Sequence, residues 1–155
     1  MVKHAALVGI IITTLTLQTQ ASAKTKVAPA DEYFGRQKLS ILGISNTIHD
    51  VGIRVANDPA NGARYLGTLT WAEEALEDWA RKYPQDGWLP QRAYTMSHLL
   101  WQLHTAEADG LANRCRKILF AQFANSRLSA LARTESAASV APLNVPVAAN
   151  AAPKN

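Results

Sequence analysis

The sequence predicts an all-α domain of about four antiparallel helices, arranged as two helical hairpins with short connections. Three observations lead there. Apolar residues recur at intervals of three, four and seven through most of the chain between Glu32 and Ala124, the spacing of helices with one buried stripe. No stretch shows the strict apolar–polar alternation of a half-buried strand. Proline and glycine at Asn57-Asp58-Pro59 and from Pro84 to Gly87 cut the pattern into helix-sized pieces.

Ahead of the helices, Met1 to Ala23 has the form of a cleavable secretory signal peptide. Lys3 and His4 make a basic start, Ala5 to Leu17 is an apolar run, and Ala21-Ser22-Ala23 fits the small-x-small cleavage rule. The run is shorter than the ~20 residues of a membrane span, and no second apolar run follows. The expected product starts at Lys24, is periplasmic or secreted, and keeps no transmembrane span. Residues 24–30 read as a short linker and 31–133 as the helical domain.

The first helix is expected from Glu32 to Ala56, after Asp31 as N-cap. Phe34, Ile41, Ile44, Ile48, Val51 and Val55 form one seam. Gly35, Gly43 and Gly52 weaken it by roughly 1 kcal/mol each relative to alanine, while allowing close approach of a partner helix. The second helix starts at Asp58-Pro59, a cap followed by the favoured proline position, although Gly62 would delay regular helix by a few residues. Its inward face is Tyr65, Leu69, Ala72, Leu76, Trp79 and Tyr83; Glu73, Glu74, Glu77 and Asp78 fall mainly outside. The third runs from Trp88 to His104 on the stripe Leu89, Ala93, Met96, Leu100 and Leu103. The fourth runs from Thr105 to Ala124 on Leu111, Cys115, Ile118 and Leu119, with Arg114 and Lys117 turned away. Leu128 to Ala132 adds one further turn. From Thr134 onward the chain is nearly all Ala, Val, Pro, Ser, Asn and Thr without an aromatic residue, so residues 134–155 are expected to be a disordered tail.

The formal charge is +4, from 16 Lys and Arg against 12 Asp and Glu. The late basic residues Arg114, Arg116, Lys117, Arg127 and Arg133 read first as an ordinary solvated helix face, and, if they bind anything in an exported protein, as a site for anionic lipid, wall polymer or an acidic partner before nucleic acid. The single cysteine, Cys115, cannot form an intramolecular disulfide and sits among apolar residues as a buried thiol would.

The second and fourth helices end alike. Ala75-Leu76-Glu77-Asp78-Trp79-Ala80-Arg81-Lys82-Tyr83-Pro84 and the stretch from Ala112 to Ser126 each place a small residue early, large apolar residues next, then an aromatic and a turn. Tyr83 and Phe123 are 40 residues apart. This resembles the tetratricopeptide-like helical repeats of bacterial envelope proteins, whose period is about 34 or somewhat longer. The Trp-x2-Leu-Gly-x2-Tyr opening of such repeats is missing, and Pro90 interrupts the nearest stretch, Trp88 to Tyr94. The resemblance implies a protein-binding scaffold and no chemistry. A four-helix bundle stays open as the alternative.

The candidate binding surface is the back of the third helix. Tyr94, His98, Trp101 and Thr105 are spaced four, three and four, nearly opposite the Leu89–Leu103 stripe. Such a helix either packs on both sides or presents its aromatics to a partner. His98, His104, Glu107 and Asp109 do not converge as three ligands with supporting contacts, and His49-Asp50 should diverge as helix neighbours. No catalytic or cofactor signature is present, so no cofactor is assigned. The expected function is an envelope adaptor that binds an exported protein. Two alternatives stay open: a module that binds cell-wall glycan or a small ligand through the same aromatics, and a hydrolase with an unrecognised carboxylate pair, since glycosidases need only two.

Overall fold

The computed structural model describes residues 27–140. Met1 to Ala23, most of the linker, and the tail beyond Val140 lie outside the described residues. The fold is all-α, with five α-helices rather than four among the described residues.

The chain opens with a small hairpin, not with helix. Strands β1 (Tyr33–Phe34) and β2 (Leu39–Ser40) pair antiparallel, with Tyr33 opposite Ser40 and Phe34 opposite Leu39. The first helix, α1, therefore spans Ile41–Asn57 and not Glu32 to Ala56. Two local features override the seam. Gly35 and Lys38 adopt φ of 67° and 54°, which helix excludes and a tight turn uses. Ser40 then caps α1 by accepting from the Gly43 N–H at 3.0 Å. Phe34 is fully buried, stacked on Trp79 with ring centroids 5.9 Å apart and set edge-on to Tyr83 at 6.1 Å. Close approach is made by the hairpin, since a Cβ on Gly35 would lie 2.9 Å from Ala75 Cα.

Pro59 and Gly62 give a 3₁₀ helix over Pro59–Tyr65 before α2 (Leu66–Lys82) begins. Gly62 is buried, and a Cβ there would come within 3.2 Å of Leu103 Cδ2. Leu69, Ala72, Leu76 and Trp79 form the inward face of α2. Helix α3 spans Leu89–Trp101, shorter than the expected Trp88 to His104; together with the turn after it, which places Leu103, it buries the Leu89–Leu103 stripe along with Ser97 and Leu99. It is the central helix, touching α1, α2, α5 and, most extensively, α4 (Ala106–Gln122). Cys115 on α4 is completely buried, and burial pushes its thiol well above the ordinary range.

The last helix, α5, covers Arg127–Val140, which corrects the expected start of the tail at Thr134. Ser129 anchors its beginning: its N–H donates to Ser126 Oγ at 3.1 Å, and its own hydroxyl reaches the Leu119 and Phe123 carbonyls at 3.0 and 2.7 Å. Further along, the Tyr94 hydroxyl donates to Glu135 Oε1 at 2.7 Å. Low hydrophobicity argued for disorder, but alanine is the strongest helix former, and a few polar anchors hold the helix on the bundle.

One buried side chain joins three parts of the fold. Asp86 is fully enclosed in the turn between α2 and α3. Its Oδ2 accepts from the Ala28 N–H and from Trp79 Nε1, each at 3.0 Å, and its Oδ1 accepts from the Trp88 N–H at 3.0 Å. Asp86→Ala would leave three N–H donors without their acceptor. We expect it to lower unfolding stability by about 3–4 kcal/mol, read by urea denaturation with Trp79 fluorescence. A loss below about 1 kcal/mol would show that water replaces the carboxyl without cost.

Candidate functional site

The four residues at the back of α3 do not form one surface. Tyr94 is half-buried, its hydroxyl committed to Glu135 on α5. Thr105 is half-buried and is the N-cap of α4, its Oγ1 accepting from the Ala108 N–H at 3.2 Å. These two help hold elements together and are only partly open to solvent. His98 and Trp101 remain. Trp101 is 39% exposed. Its ring meets His98 edge-on at 6.3 Å and His104 at 6.4 Å, and Tyr94 stands 6.3 Å behind His98.

The face is thus half covered. Helix α5 lies over its N-terminal half at Tyr94, and its C-terminal half is open. His104, absent from the four, completes the open half. It adopts φ of 51° in the turn after α3, a conformation no helical spacing rule would place. The Gln102 amide Nε2 lies 3.2 Å from His98 Nδ1 and holds that ring beside Trp101.

The acidic face of α2 also differs from expectation. Glu73 is fully buried and faces α4, not solvent. Arg114, expected to turn away, grips it with two bonds: Nε to Oε1 at 3.0 Å and Nη2 to Oε2 at 2.9 Å. Burial pushes the Glu73 carboxyl up, ahead of the opposing pull of Arg114. The guanidinium keeps 43% exposure, so the desolvation falls mainly on the acid, while contact with Glu73 raises Arg114. The signal lay in the spacing: Glu73 is four residues after Leu69 and three before Leu76, hence on the apolar stripe.

An open concavity of about 850 Å³ lies between the hairpin, α2 and α4. Arg36 pairs there with Glu74, and Arg81 with Asp78. For Asp78, burial pushes upward most strongly, but the Gly35 N–H, Arg81 and Lys82 together hold the carboxyl below its usual range. These side chains neutralise one another and tie the hairpin to α2. His49 and Asp50 do meet, at 3.1 Å, contrary to the expected divergence, but both are largely exposed on α1. Among the described residues, no group of three His, Cys, Asp or Glu side chains is placed to hold a metal ion.

Tyr94→Phe removes the bond to Glu135 and should loosen the end of α5, speeding amide exchange over residues 130–140, at a global cost of about 1 kcal/mol. The contact raises the Tyr94 phenol above its ordinary 10.0, so the docked helix favours the protonated phenol. Its contribution is complete below pH 10.0 and fades as pH rises through the elevated folded value. Unchanged exchange in the variant would detach α5 from this anchor. Cys115 should resist thiol reagents in the native protein and react fully in denaturant; rapid native labelling would contradict its burial.

No family model matches this chain, and neither a curated protein nor a solved structure matches it.

Proposed function

We propose that this chain is an exported helical adaptor that binds another envelope or secreted protein through the open end of α3, with Trp101 as the anchor and His98 and His104 beside it. One observation carries the reading. Trp71, Trp88 and Trp101 are the exposed tryptophans among the described residues, and of these Trp101 alone is held by neighbouring rings. A fixed aromatic loses little freedom on binding and supplies large contact area, the property of interface hot spots. The export signal in Met1 to Ala23 supports the compartment. The tetratricopeptide-like resemblance between the ends of α2 and α4 supports a scaffold role.

The test is cross-linking in the native envelope, comparing the unaltered protein with a His98→Ala/Trp101→Ala double variant of unchanged helicity and melting temperature. We expect one defined protein adduct that the variant loses. Retention of that adduct, or no adduct from either protein, would remove the adaptor reading at this face.

A further inference from the structure

A second site lies at the opposite end of the hydrophobic spectrum from the charged groove. Where the described chain begins, Val27 and Ala28 cross the start of α1 and the turn into α3, enclosing a pocket of about 330 Å³. Ile41, Leu42 and Trp88 supply further apolar wall. Leu42 is 67% and Trp88 59% exposed, so the pocket is open to solvent at its rim. The volume is at the lower end of small-molecule sites, about 300–1,000 Å³.

The polar groups of this pocket are few, and one is unspent. Ser45 Oγ donates to the Ile41 carbonyl at 2.8 Å. Arg92 also lines the pocket; its Nε is buried with no hydrogen-bond partner, and its guanidinium makes no ion pair among the described residues. No acidic side chain lines the pocket. No side-chain hydrogen bond or ion pair neutralises the Arg92 guanidinium among the described residues, so an anion held in the pocket would supply the charge partner it lacks.

The walls are also held in place without a ligand. Ala28 and Trp88 both donate backbone N–H groups to the buried Asp86. The backbone on this side of the pocket is therefore anchored before any ligand arrives.

We infer that this pocket binds an aliphatic carboxylate, with its chain against Leu42, Ile41 and Trp88 and its head group on the Arg92 guanidinium. An apolar body is required by the walls, and a negative end by the unpaired cation. Cationic amphiphiles would meet Arg92 with like charge. Sugars would find few polar partners.

The experiment titrates decanoate, below its aggregation concentration, into protein purified from cells expressing the whole chain, and reads tryptophan fluorescence and heat. Decanol, the neutral match, is titrated in parallel. Saturable decanoate binding at one site, tighter than decanol, is expected. Arg92→Gln should weaken decanoate about tenfold and leave decanol unchanged. Leu42→Ser, at an exposed position that folding does not depend on, should weaken both. The inference is overturned if decanoate shows no saturation, if decanol binds as tightly, or if decanoate binding is unaltered in folded Arg92→Gln or in Leu42→Ser.

Discussion

The buried carboxyl of Asp86 is the constraint on which the described fold most depends. A short turn between α2 and α3 must bury a polar side chain, and it does so by collecting three N–H donors. One donor belongs to the indole at the centre of the core, one opens α3, and one comes from Ala28, far away in sequence. The same acceptor ties the end of α2, the start of α3 and the incoming chain at Ala28 to one point. Phe34 then stacks on the Trp79 ring that Asp86 orients, so the hairpin inherits its position from this turn.

The second polar contact works across α2 and α4. Glu73 interrupts an apolar stripe, and its burial is tolerable because Arg114 supplies a two-pronged donor at the edge of the core. A leucine there would pack without any directional demand. The acid instead fixes which part of α4 faces α2, since an unmatched register would strand the charge. The hairpin adds a related set of contacts: Gly35 N–H to Asp78, Arg36 to Glu74, and Lys82 to Glu32. Surface pairs of this kind contribute little stability individually, but together they explain why the wide concavity beside them carries little uncompensated charge.

Once these groups are committed, two features among the described residues carry the proposals made above. One is the ring-held Trp101 at the open end of α3. The other is the Arg92 guanidinium in the apolar pocket at the chain's entry. They lie on different parts of the bundle and ask for different ligand chemistry. The proposed protein partner belongs to the first, the proposed apolar anion to the second. Each follows from where α5 and Ala28 cover the bundle and where they stop.

The sequence by itself determined the helical class, the stripes of α2, α3 and α4, and the burial of Cys115, because period and residue size act locally. It also located the α1 seam from Ile44 to Val55 and the aromatic spacing on α3. Tertiary structure decided the rest. The hairpin at Phe34 depends on a left-handed glycine pressed against α2, and no periodicity encodes that contact. The fate of Tyr94 depends on α5, whose weakly apolar sequence is held by polar anchors that composition does not reveal. Thr105 lay on the right face but at a helix boundary, where a hydroxyl caps before it can bind. Glu73 was expected outside because charged side chains usually are, and nothing in the local pattern around Asp86 marked it as buried. Their burial depends on Arg114 and on Ala28, partners 41 and 58 residues away, which only the folded chain brings within hydrogen-bond distance.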